Sequence, residues 1–256
     1  MSISRLKFFI VTFVTGFFSL HSISQDSLLQ SKAHHKAKEI NRLTISYSLL
    51  LKSNKSNTGI GEAYNGGVKT IFIDNHKARV RLVSLMRMQS VFIMQPGNPK
   101  QAAVITKESG KDKYKYNLTA EQWKRYYRKY DSVSCELTDD STVILNYPCR
   151  KAIIRLKDGR SMEVFYTDSV SNKMLSKVEP AFSCIPGLVL QYEYKQKKGS
   201  VVFTATSITD AYIDPGVFKA PAKGFVARKF YISSSQKPGN KIEEEPDQDA
   251  DQENDQ

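Results

Sequence analysis

From Ala152 to Thr206 the chain repeatedly alternates apolar and polar side chains in steps of two, a period that fits half-buried strands and does not fit a helix. Ala152, Ile154 and Leu156 fall on one face, with Lys151 and Arg155 on the other. Asp158-Gly159 then supplies the residue pair that tight hairpin turns favour, and Met162, Val164 and Tyr166 continue the apolar face on the return. Leu188, Leu190, Tyr192 and Tyr194 alternate with Val189, Gln191, Glu193 and Lys195. After a basic turn ending at Gly199, Val201, Phe203 and Ala205 alternate with Val202, Thr204 and Thr206. Earlier runs of β-branched and aromatic residues cover Leu43 to Leu51, Val68 to Ile73, Lys77 to Val83, Ser90 to Met94 and Ala102 to Lys107. Turn signals such as Asp74-Asn75 and Ser109-Gly110 join several of them.

One segment breaks this pattern. Thr119 is a helix N-cap with Gln122 at the third helical position, and Ala120 to Tyr130 follows without Gly or Pro. Trp123, Tyr126, Tyr127 and Tyr130 recur at i, i+3, i+4 and i+7, the spacing of a stripe that packs on a sheet. Lys124, Arg125, Arg128 and Lys129 occupy the opposite face as a basic ridge. Alternating strands with one covering stripe predict a mainly β (α+β) fold: a single curved, half-barrel-like antiparallel sheet with one or two covering helices. The expected boundaries are 1–24 leader, 25–42 N-terminal helical or flexible segment, 43–231 β domain and 232–256 disordered acidic tail.

In the leader, Arg5 and Lys7 precede thirteen residues from Phe8 to Leu20, and small polar residues ending at Gln25 follow, which is the order of a secretory signal peptide. A run of thirteen is too short for a spanning helix, which needs roughly 20 apolar residues. The expectation is an exported chain, periplasmic or outer-membrane-associated, with no transmembrane segment after cleavage. Leaving aside the leader and the eight acids between Glu243 and Asp255, 36 bases face 18 acids. Such a surface attracts polyanions. In an exported chain, membrane headgroups or acidic glycans are better candidates than nucleic acid.

Signals for chemistry are sparse. Outside the leader the histidines are His34, His35 and His76, and neither HExxH nor a paired CxxC spacing offers a metal site. No GxSxG elbow or phosphate loop is present, and Gly59-Ile60-Gly61 lacks the third glycine of a dinucleotide fingerprint. The expectation is a non-enzyme without cofactor or metal; a hydrolase reading has no motif behind it. In an oxidising compartment Cys135, Cys149 and Cys184 allow one disulfide in three pairings, or none if all are small buried residues.

From Val143 onward the residues resemble a known family. Tyr147-Pro148-Cys149-Arg150-Lys151-Ala152, then Gly159-Arg160, then Phe165-Tyr166-Thr167, then Cys184-Ile185-Pro186-Gly187-Leu188 resemble in order and spacing the motifs of the GLPGLI family of exported proteins from Gram-negative bacteria. The match runs to Leu190. Asn146 stands where the family tends to have Gly, Phe165 replaces Trp, Glu179-Pro180 stands for Gly-Pro, and Cys184 replaces the first Gly of the naming motif. The resemblance makes Cys184 a candidate partner for Cys149. It also implies similarity to lipoprotein-carrier-like folds, in which a curved sheet and its helices enclose room for acyl chains. On that analogy Trp123, Leu188, Leu190, Tyr192 and Phe203 are candidate lining residues for a lipid or acyl chain, against plain core packing. The alternative expectation is a module that binds another envelope protein or an acidic glycan through the basic ridge, which the acidic tail masks.

Overall fold

The computed structural model describes residues 37–52, 65–85, 87–94, 100–196 and 199–230. The expected leader, the acidic tail from 232 onward and Gly59-Ile60-Gly61 lie outside the described residues.

Among the described residues the fold is mainly β. Hairpins generate two meanders: β2 (Arg42–Lys52), β3 (Val68–Asp74), β4 (Lys77–Val83), β5 (Arg87–Ile93), β6 (Ala103–Ser109) and β7 (Asp112–Leu118), then β8 (Ser134–Ile144), β9 (Tyr147–Arg155), β10 (Ser161–Thr167), β12 (Leu188–Gln196) and β13 (Gly199–Thr209). With β14 (Val226–Arg228), they make one open twelve-stranded sheet in the order β14-β7-β6-β5-β4-β3-β2-β13-β12-β10-β9-β8. Every pairing in it is antiparallel except that of β14 with β7, which is parallel and makes the sheet mixed. The turns follow the sequence logic: Asn75, Gly110 and Gly159 take positive φ at the predicted hairpins, and Leu145 and Asn146 do so between β8 and β9.

The helix forms where the sequence places it. Thr119 Oγ1 accepts from the Gln122 amide, and Gln122 Oε1 accepts from the Thr119 amide, so both halves of the capping box are made at the start of α1 (Ala120–Tyr126). A single 3-10 turn, Arg128–Tyr130, continues it. The predicted stripe faces the core, and Trp123 packs on Tyr126 and Tyr127 at ring separations of 5.9 and 4.6 Å.

The path of this helix shows that the sheet curls. In a flat sheet β7 and β12 would lie about 34 Å apart, seven spacings of about 4.8 Å, whereas eleven helical residues advance about 16 Å. Yet α1 starts at the end of β7, and Tyr130, at the end of the 3-10 turn that continues it, packs on the same buried cluster as Tyr192 of β12. Accordingly, buried side chains from β2, β3, β5, β6, β9, β10 and β12 join Trp123 in one cluster.

Two parts lie beyond what the sequence period conveys. In the segment expected to be helical or flexible, the described residues 37–42 are extended: β1 (Lys38–Glu39) pairs in parallel with β11 (Val170–Ser171). The amides of Lys38 and Ile40 bond to the carbonyls of Ser169 and Ser171, and Asn172 Nδ2 holds the Ile40 carbonyl, so external partners replace a helix's own hydrogen bonds. Second, the sheet is covered on both faces near β4 to β6. The chain after β13 crosses the outer face, burying Ile213 and Phe218. There the Arg79 guanidinium donates to the Val217 carbonyl and to Ser90 Oγ and lies 4.7 Å from the Phe92 ring. Burial first, and Arg81 second, lower the Arg79 pKa from its ordinary value.

Candidate functional site

Between β10 and β12 the chain leaves the sheet and lies across its inner face. This strap contains α2 (Leu175–Val178) and a 3-10 turn at Pro180–Phe182. It is tied at both ends. Asn172 holds the start through the Ile40 carbonyl and the Met174 amide. At the far end Cys184 is disulfide-bonded to Cys135 on β8, and Gly187 passes so close to β10 that a Cβ there would sit 2.0 Å from the Thr167 carbonyl oxygen.

The Cys149–Cys184 pairing implied by the resemblance is therefore incorrect. Cys149 points into the core, 1% exposed, and its Sγ–H donates to the Tyr147 carbonyl, whereas Cys135 on the edge strand lies 5.9 Å from Cys184, Cα to Cα. Burial raises the Cys149 thiol pKa, which keeps it protonated and inert. The backbone at Cys184 stays out of the left-handed region, so no strained glycine is being replaced there.

Under the strap is a cavity of about 200 Å³. Its walls include Tyr47, Ile71, Phe182, Leu188 and Val189, and Glu179 contributes a carboxylate. Behind Glu179 stands Lys69, whose side chain is 11% exposed and lies on the inner face of β3 in register with Ile71 and Ile73. Lys69 Nζ is 2.7 Å from Glu179 Oε1 and donates to Tyr192 Oη at 3.0 Å. The rings of Tyr47, Tyr192 and Phe203 surround the ammonium with centroids 5.3 to 5.8 Å away. Tyr192 is stacked on Phe203 at 4.4 Å and braced edge-on by Phe182 at 4.9 Å. Tyr47 Oη donates to the Val189 carbonyl. Burial pushes the phenols of Tyr47 and Tyr192 well above their ordinary range, as it does those of Tyr127 and Tyr130 on the covering helix. All four stay neutral hydrogen-bonding groups at neutral pH.

The candidate lining residues therefore separate. Leu188 lines the cavity, Tyr192 and Phe203 form the cage behind it, Leu190 is fully buried core, and Trp123 belongs to the aromatic stack of α1. The period-two pattern pointed to the sheet's inner face, but it gave no sign of Lys69 and Glu179. A lysine leading the alternation Lys69, Ile71, Ile73 was the available signal.

Most residues that carry the resemblance do architectural work. Ala152 and Tyr166 are buried, Thr167 abuts Gly187, and Gly159 makes the β9–β10 turn. Tyr147 begins β9 half-buried, Lys151 pairs with Asp140 and Glu163, and Arg160 pairs with Asp158 and donates to Tyr194 Oη. Ile185, Pro186, Gly187 and Leu188 are the motif positions that also line the cavity.

On the basic ridge all four residues are exposed, and Arg125 pairs with Glu121 one turn away. The Lys129 amine lies over the Tyr130 ring, 4.9 Å from its centroid, and lost hydration there first, with Arg160 second, lowers its pKa from the ordinary lysine value. Among the described residues no cluster of His, Cys, Asp and Glu is arranged to hold a metal ion, and no helix is long and apolar enough to cross a membrane.

No family model and no curated protein matches this sequence. Among solved structures, the chain is similar to PNGF-II at TM-score 0.42 and 15% identity, over 74% of this chain and 32% of that one. It thus spans about a third of PNGF-II. MucB follows at TM-score 0.34 and 11% identity, over 74% of this chain and 60% of that one. An uncharacterized conserved protein from Thermus thermophilus aligns at TM-score 0.31 and 8% identity, over 73% of this chain and 90% of that one.

Proposed function

We infer that this chain is an exported, non-enzymatic envelope protein of the GLPGLI type that holds the end of an acyl chain or a similar small apolar ligand between sheet and strap. The observation that carries this reading is the cavity of about 200 Å³ walled largely by apolar side chains and closed by a segment tied at both ends. Its volume is below the roughly 300–1,000 Å³ of pockets that enclose drug-sized ligands. A short chain, or the tip of a longer one, is the fitting guest. Native mass spectrometry of the protein purified from its own envelope tests this. A stoichiometric adduct that disappears in Ser176→Trp, a change at an exposed cavity-lining position, supports it. A bare mass, together with no uptake of added octanoate or 1-octanol, removes it.

A second reading rests on α1 and the 3-10 turn after it, which turn their aromatic rings inward and leave Lys124, Arg125, Arg128 and Lys129 exposed. In that reading the ridge binds an acidic glycan or another envelope protein, and the acidic tail competes for it. Deleting Glu243 to Gln256 would then strengthen binding to an anionic polymer at low salt, and salt would abolish the difference.

A further inference from the structure

The Lys69–Glu179 pair is difficult to explain as a stabilising device. Two ionic side chains taken largely out of water forfeit hydration that their mutual attraction only partly returns, and apolar residues of similar volume serve a core at least as well. Position 69 opens an inner-face row continued by Ile71 and Ile73, where such a residue would complete the pattern. The three rings around Nζ come from β2, β12 and β13, all central strands of the sheet, so the cation sits in a rigid socket. Its anion sits on the strap, between α2 and the following 3-10 turn, and at the same time lines the cavity.

We propose that Lys69 and Tyr192 form an anion socket directly behind Glu179 in the cavity wall, that Glu179 is its internal occupant, and that the natural guest is a short-chain monocarboxylate whose headgroup replaces Glu179 on Lys69. This rests on the ligand-holding reading above. Glu179 itself demonstrates the fit: a carboxylate oxygen is seated 2.7 Å from Nζ, with the phenol of Tyr192 on the same ammonium. Lys69 supplies the charge-assisted bond, which is stronger than one between neutral groups. The socket is a single ammonium of compact charge, matched to one carboxylate and lacking the forked donors that bind phosphate in two places. The apolar wall of Ile71, Phe182, Leu188 and Val189 then covers the tail. No covalent bond forms or breaks; one carboxylate exchanges for another, and the displaced Glu179 side chain rotates toward solvent while the strap stays tied.

An internal occupant lowers apparent affinity by the fraction of time the socket is filled. The test is calorimetric titration of the full mature chain with octanoate and with 1-octanol, which share a tail and differ in charge. Wild type should bind octanoate at least tenfold more tightly than 1-octanol. Lys69→Met should erase that preference, and Glu179→Gln should tighten octanoate about tenfold relative to 1-octanol. Equal binding of acid and alcohol by wild type overturns the socket and leaves the cavity standing. Failure of wild type to bind either compound overturns both readings. If Lys69→Met does not fold, wild type with carboxyl-labelled octanoate still decides. A bound headgroup that titrates below free octanoate in its carbon resonance supports an ammonium contact, and one that titrates above it refutes the contact.

Discussion

Replacing Cys135 and Cys184 together by alanine removes the bond that ties the edge strand β8 to the strap over the cavity. The two cysteines are 49 residues apart, and the loop-closure entropy recovered by the unfolded chain corresponds to about 4 kcal/mol at 25 °C. That is a large share of the 5–15 kcal/mol that holds a typical domain together. For a fold of this size each kcal/mol moves the midpoint by about 2–4 °C, so the melting temperature should fall by about 8–16 °C. Urea unfolding monitored through the lone tryptophan, Trp123, provides the free energy, and Cys149→Ala serves as the matched control. Thiol titration checks the premise independently: native protein should show no reactive thiol, and unfolded, non-reduced protein should show one, from Cys149. A loss below about 1 kcal/mol in the double variant, or a peptide map that places Cys149 in a bridge, would refute the reasoning.

Four further changes probe local physics. Gly187→Ala forces a Cβ against the Thr167 backbone oxygen and should cost more than about 2 kcal/mol, whereas Gly159→Ala, strained only by its φ of +82°, should cost about 1–2; equal losses in urea midpoints would contradict the close approach. Thr119→Ala removes one side of the capping box and should cost about 1 kcal/mol, seen as lower helicity and stability; an unchanged unfolding curve would mean that α1 does not depend on its cap. The hydrogen bond from Arg160, ahead of any other cause, holds the Asp158 carboxyl below its ordinary pKa. Its stabilisation is therefore present above the unfolded-state aspartate value and lost as pH falls through the lower folded value. Asp158→Asn should flatten the acid limb of a stability-against-pH curve below the ordinary aspartate value, and an unaltered limb would show that the pair contributes nothing.

What could be read in advance follows from how local each signal is. Hairpins with apolar faces, such as β9–β10 and β12–β13, announce themselves because alternation and turn residues sit within a dozen positions. The capping box of α1 is equally local. β8 is harder, because an edge strand with mostly exposed side chains has no reason to alternate, and its Asp139-Asp140 pair is of a residue type depleted in strands. The outer-face cover by Ile213 and Phe218 depends on a distant segment returning to β4 to β6, which no local period encodes. The same holds for the cage. Tyr192 and Phe203 are visible as inner-face aromatics, but the meeting of Lys69 with Glu179, from a strand and a strap more than a hundred positions apart, belongs to the tertiary fold. Disulfide choice belongs there too, since all three cysteines look alike in the chain.

The joint between the two meanders has a kinetic consequence. β2 is the first strand of one half and β13 the last of the other, and their pairing sets Ser200 against Lys52 and Thr209 against Thr44. Each half can zip from its own short hairpins, but the seam at the middle of the sheet waits for residues some 150 positions away, the kind of non-local closure that slows folding. Until residues 199 to 209 have been synthesised, β2 and β12 are both bare edges, able to pair with the wrong chain. Mutations along the β2–β13 seam should therefore slow folding and raise aggregation more than equally destabilising ones in the outer hairpins.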